Sequence, residues 1–253
     1  MTTMSDTREN LSFAGAGTIT TGEYGRVSVS GSGRIKGDIS CESFSASGSC
    51  GGTGNVKCEN DFKCSGAMHL TGEVICCGEF KVSGASSFDG DIEAHIIKIA
   101  GAVKGRSFRA DILKIAGAIT ANGDVEAEEA HISGGGEITG LLNAEKIDIR
   151  FNGNNNRLKV GSIGGSEIVV DHDNTINSEI RIFGIPIYSK RSNGGKLIAG
   201  TIEGDSITLN VTEADVVRGK NIIIGKGCKI ARVEYTDTYE CDESSTVEKA
   251  VKI

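Results

Sequence analysis

The chain has 253 residues, with 27 basic against 34 acidic side chains and a net charge of −7. Duplex binding needs a basic excess to displace phosphate counterions, so nucleic acid is excluded as an expected partner. With 36 Gly, one Pro, no Trp and 5% aromatics, the composition suits short strands and tight corners and leaves little for helix packing.

Residues 1–11 are polar and are expected to form a disordered tail. MTTMSDTREN has neither a charged and apolar export signal nor an apolar run long enough to span a bilayer, so a cytoplasmic protein with reduced thiols is expected. The eight cysteines include no CxxC pair, and disulfide frameworks belong to short exported chains.

From residue 12 to about 150 the glycines recur. Gly31, Gly48, Gly66, Gly84, Gly101, Gly117 and Gly134 are spaced 17, 18, 18, 17, 16 and 17 residues apart, which is the signature of a solenoid. Within VSVSGSGRIKGDISCES, inward candidates fall as i, i+2 pairs every six residues: Val27/Val29, Gly33/Ile35 and Ile39/Cys41. Each pair reads as a very short strand with one face buried, and three strands with three corners make a triangular coil. The expected fold is an all-β, single-stranded parallel β-helix with coils of about 17 residues, its glycines placed at the corners to supply positive φ. Stacked coils put Cys41, Cys58, Cys76, Ala94, Ala110, Ala127 and Ala144 in one small interior column, where cysteine acts as a small hydrophobe.

A second region, 151–235, continues the solenoid with a different coil. FNGNNNRL reads as a loop, and VGSIGGSEIVV at 160–170 repeats as AGTIEGDSITL at 199–209. Between them, 171–196 reads as a hairpin-like excursion containing Pro186, the chain's single proline. Residues 236–253 are polar and acidic, a tail or cap.

Little in this pattern suggests catalysis. His69, His95 and His131 occupy different faces, and His172 between Asp171 and Asp173 fits a polar loop as well as a cation site or a held base. No catalytic, cofactor or metal site is expected. Two surface features stand out instead. Lys63, Lys81, Lys98 and Lys114 fall in one outward column, readable as a solvated face or as a basic stripe for an acidic surface. A solenoid also ends in unpaired strands and an open interior, and no amphipathic helix is available as a cap. The candidate polymer interface is therefore Phe13, Ile19, Val27 and Val29 at one end, with Ile222, Ile224, Ile230 and Tyr235 at the other.

The coils FKVSG, IKIAG, LKIAG and AHISG, and above all VVRG, IGKGCKI and VEY within residues 202–235, resemble the polymer-forming cytoskeletal proteins of bacteria, the bactofilins and their Firmicute relatives. The resemblance covers roughly residues 13–235. It implies a right-handed β-helix that assembles end to end into nonpolar filaments without nucleotide, scaffolding envelope, shape or motility functions. The expected partners are further copies of the chain and envelope or motility proteins. Bactofilins often carry a hydrophobic or basic membrane-targeting segment; MTTMSDTREN is neither, so any membrane contact is expected to run through partners. The competing readings are a non-polymerising scaffold or adaptor and a β-helix acyltransferase, for which only His172 lies near a protruding loop.

Overall fold

The computed structural model describes residues 8–151, 156–172, 180–182, 185–187 and 195–253, with the backbone alone at 172, 180–182 and 185–187. Of the expected tail at 1–11, residues 1–7 lie outside them, as do the loop residues 152–155 and the rest of the 171–196 excursion; residues 8–11 are described, and Leu11 opens the first strand. Every regular element among the described residues is a strand, and all but two strands join a single parallel sheet wound on itself. Within that sheet each interior strand pairs with the strand one turn before and one turn after it. The β-solenoid expected from the glycine spacing is what the chain forms.

One inward column runs the whole length. Leu11, Val27, Phe44, Phe62, Phe80, Ile97, Leu113, Ala130, Ile147, Ile168, Ile207, Ile222 and Tyr239 stack residue on residue, one from each turn. Parallel stacking puts like residues on one another, and the column shows it: the rings of Phe44, Phe62 and Phe80 lie 5.0 and 5.2 Å apart and nearly parallel. Phe88 meets Phe80 and Phe62 edge-on from another wall, so four aromatics fill the centre of the third to fifth turns.

A narrower column holds the small residues. Cys41, Cys58 and Cys76 stack in register, the first two with Sγ atoms 3.5 Å apart, and Ala94 and Ala110 follow. Six of the eight cysteines are buried, and burial pushes the Cys50 thiol up to about 11 and that of Cys76 up to about 12. Beyond Ala144 the same corner is taken by Gly165, Gly204 and Gly219, which stack on one another. At its two ends it opens onto tyrosines, Tyr24 upon Cys41 and Tyr235 upon Gly219.

The glycine beat has a different cause from the one expected. None of Gly31, Gly48, Gly66, Gly84, Gly101, Gly117 and Gly134 has positive φ. Each carbonyl in the column instead points along the axis into the next turn. Gly84 O accepts from Ala102 N at 2.9 Å, and Gly101 O from Ala118 N at 2.8 Å. That carbonyl passes directly beneath the next glycine: a Cβ on Gly101 would lie 2.0 Å from Gly84 O, and one on Gly117 would lie 1.9 Å from Gly101 O. Close approach of turn to turn excludes every side chain there. Positive φ is confined to other corners, such as Gly37 and Gly54.

Other corners use side chains to keep the axial hydrogen bonding going. Asp38 Oδ1 accepts from Asn55 N, Asn55 Oδ1 from Glu73 N, and Asp61 Oδ1 from Glu79 N, each one turn ahead. In the second region, Arg157–His172 pairs with Lys196–Leu209 residue for residue, Ile163 on Ile202 and Ile168 on Ile207, so the two similar segments are adjacent turns. Between them Ile180–Ile182 pairs antiparallel with Ile185–Ile187, a short hairpin with Pro186 in its second strand.

Replacing Gly84 by alanine should cost about 2–3 kcal/mol, because backbone on both turns must move, whereas Gly15→Ala should stay within about 0.5 kcal/mol, since nothing lies within 4 Å of a Cβ there. Urea unfolding of the two variants checks this; equal stabilities would contradict the close-approach explanation.

Candidate polymer interfaces

The first turn consists of Leu11–Phe13 and the beginning of Ala16–Val29. Leu11 and Phe13 sit on Val27 and Val29, and Ile19 sits on Ile35. The sequence candidates therefore separate: Val27 and Val29 lie one turn inside the end, both buried, and Ile19 is buried within the first turn. Phe13 is at the surface of the end, with Leu11 and Tyr24, all half-buried. The Phe13 ring lies over Gly17, where a Cβ would come within 2.8 Å of it. Tyr24 donates its hydroxyl to the Thr20 carbonyl at 2.8 Å. Arg8 ties the entry to the body through Glu59 at 2.5 Å and Glu23 at 3.6 Å.

At the other end the chain goes a turn further than the candidates. Ile222 and Ile224 are covered by Tyr239 and Cys241, Ile230 by Val247, and Tyr235 by Lys252. Ile222, Ile224 and Ile230 are buried, so they are interior residues of the penultimate layer. Residues 236–253 form that last layer, through the strands Lys229–Cys241 and Thr246–Lys252. The corner between them is held by Ser245, whose Oγ donates to Gly225 O and accepts from Cys228 N at 2.9 Å. The outermost apolar groups are Tyr239, Val247, Val251 and Ile253, the last 62% exposed. The Tyr235 and Tyr239 rings stack at 5.3 Å, and burial followed by contact with Cys241 pushes the Tyr239 hydroxyl up to about 12.

Both ends thus share a construction. Each presents an aromatic and aliphatic plate framed by strands hydrogen-bonded on one side only among the described residues: Leu11–Phe13 at one end and Thr246–Lys252 at the other. An unpaired parallel strand with an open apolar interior beside it is a template for another strand of the same kind.

The C-terminal motifs VVRG and VEY meet in space. Arg218 lies between Glu203 and Glu234 on successive turns, donating through Nε to Glu234 Oε2 at 2.6 Å, and Arg232 reaches the other Glu234 oxygen at 2.5 Å. Glu234 is nearly buried, and the Arg218 guanidinium, joined by Arg232, holds its carboxyl below the usual carboxylate range. The sixteen-residue separation of Arg218 and Glu234 is one turn. This ladder clamps the last layers together.

The four lysines of the outward column are stacked in register, Lys63 on Lys81, Lys81 on Lys98 and Lys98 on Lys114, followed by His131 and Asp148. Lys63 pairs with Asp61 at 2.8 Å and Lys98 with Glu79 at 3.4 Å. Elsewhere, His95 Nδ1 lies 2.5 Å from Asp111 Oδ2 on an exposed corner, and His69 is exposed on another face. His172 is described by its backbone alone. Among the described residues no three His, Cys, Asp or Glu side chains converge as a metal site. Among the described residues no helix is long and apolar enough to cross a membrane.

Residues 51–143 match the family model of the bactofilins, described as polymer-forming cytoskeletal. This segment is similar to the bactofilin domain. It coincides with the regular turns and not with the C-terminal stretch whose motifs carried the resemblance in the sequence. The chain is also 38% identical over 114 residues to the uncharacterized protein YhbF of Bacillus subtilis (strain 168), an alignment covering 45% of this chain and 42% of that protein. It is 34% identical over 117 residues to the uncharacterized protein YhbE of the same organism, covering 46% and 45%. The chain therefore spans less than half the length of these curated relatives, and no solved structure matches it significantly.

The depressed Glu234 carboxyl makes the last layers acid-sensitive. A carboxylate held below its ordinary value contributes stability above that value and loses it as the pH falls through the lowered one. Amide protection of residues 229–253 should be full at neutral pH and fall as the pH drops below the ordinary carboxylate range, while Glu234→Gln should be poorly protected already at neutral pH and respond little to acid. Identical pH responses in the two proteins would remove this role.

Proposed function

We infer that this bactofilin-domain protein is a non-enzymatic cytoplasmic scaffold that assembles end to end into filaments without nucleotide, and that such filaments support envelope, shape or motility machinery through partner proteins. The observation that carries the reading is the matched pair of end plates. Leu11, Phe13 and Tyr24 at one end and Tyr239, Val247 and Ile253 at the other are half-buried or exposed beside strands with a free hydrogen-bonding edge. Joining two such ends continues the strand ladder, parallel where unlike ends meet and antiparallel where like ends meet, and buries the plates. Neither step needs a nucleotide or a metal. The polymer-forming character of the matched family supports the same conclusion.

Charging one plate at a time tests the contact and its polarity. Phe13→Lys at one end and Tyr239→Lys with Val247→Lys at the other should each abolish pelleting while circular dichroism stays β-rich. If like ends meet, as in a nonpolar filament, each single-end variant should stop at a dimer by light scattering. Filaments persisting after both ends are charged would defeat the reading.

A further inference from the structure

The side walls carry a second interaction surface, independent of the ends. On one wall, Lys81, Lys98, Lys114 and His131 line a shallow groove of about 470 Å³ together with Arg150 and Asp148, which pair with each other at 2.9 Å. Lys63 and Lys98 are neutralised by Asp61 and Glu79 beside them, but Lys81 and Lys114 are exposed and have no ion-pair partner among the described residues. Free and paired lysines therefore alternate along the column. On another wall of the same turns, Glu73, Asp91, Glu93, Asp124 and Glu126 line a smaller groove of about 210 Å³ with Arg109. Arg106 answers Asp91 and Glu73, and Arg109 answers Glu126. Glu93 is exposed and unpaired among the described residues. The wall keeps an acidic excess.

We propose that these two walls are complementary and that a second copy of this chain docks its acidic wall on the lysine wall of the first, joining solenoids side by side. The argument rests on charge and on repeat. Both patches come from consecutive turns, so their charges recur at the same axial spacing of about 4.8 Å. Two copies laid side by side keep that spacing in common, and several charges come opposite at once. One exposed ion pair contributes about 1 kcal/mol or less, so only a row of them holds a contact. The contact joins unlike surfaces and does not close on itself; it propagates into a sheet or bundle. A flat anionic bilayer fits this wall less well. The corner beside the lysines carries Asp61, Glu79 and Glu129, which would face the lipid, and the whole chain is negative.

The test uses the full chain and two charge-reversed variants, Lys81→Glu/Lys114→Glu and Glu73→Lys/Glu93→Lys, with thermal unfolding to confirm that each folds. Lateral association is read from particle width in negative stain and from sedimentation velocity. Wild type should associate at about 0.1 M salt and separate at about 1 M, where the screening length falls from ~10 to ~3 Å. Each variant alone should show single-solenoid width, and mixing the two should restore association, because each then meets an opposite wall. Wild-type width unaffected by Lys81→Glu/Lys114→Glu, or no association after mixing, would overturn the proposal. So would binding of wild type, but not of that variant, to phosphatidylglycerol vesicles without lateral association, which would assign the wall to lipid. Failure of end-to-end assembly would leave this readout intact, since short side-by-side oligomers would still form.

Discussion

Everything in this molecule depends on one spacing, the distance from a backbone carbonyl in one turn to the backbone of the next. At the glycine corner the carbonyl of Gly84 comes so close under Gly101 that no Cβ fits, yet from that position it accepts a hydrogen bond from Ala102. The same relation repeats from turn to turn. Once it holds, the walls are in register and identical positions stack, which is why three phenylalanines lie face to face and three cysteines share a corner. A layered molecule of this kind is stabilised turn by turn, each layer supporting only its neighbours.

That constraint also determines where reactivity lies. Interior turns satisfy their carbonyls and N–H groups on both sides; among the described residues the strands of the first and last turns pair on one. The proposed function accordingly rests on ends and walls and not on a pocket. The segment 51–143, which matches the bactofilin family model, lies wholly in the regular middle turns. The clamp of Arg218, Glu203 and Glu234 secures the turns near one end, and Arg8 with Glu23 and Glu59 secures the other. An end that is to bear the pull of a polymer has to resist peeling, and both ends carry ion pairs that bridge more than one turn.

The sequence made the repeat legible because inward pairs such as Val27/Val29 and Phe62/Cys64 are apolar at period two while their neighbours are polar. The terminal turns are less legible. Leu11/Phe13 is one pair in a polar segment. Tyr239/Cys241 keeps the frame after Val233/Tyr235, but Asp, Glu and Thr around it suggest a tail. Composition misleads there because a terminal turn is half solvated, and its outward residues are polar on more than one side. The cause of the glycine spacing was not legible either: a clash between turns is a property of stacking, and only the periodicity is written in the chain. The Arg218–Glu234 pair becomes visible once the turn length is applied to the motifs VVRG and VEY, since sixteen residues is then one step along the axis.

The central claim is that the free edges of the terminal turns pair with other copies. Electron microscopy of the purified chain in buffer without nucleotide tests it most directly. Thirteen turns at about 4.8 Å give a subunit of roughly 60 Å, so filaments with subunits at that axial spacing are expected, one solenoid wide at the high salt that screens the side walls. Dispersed single solenoids at all concentrations, or polymers whose axial repeat bears no relation to the subunit length, would contradict it.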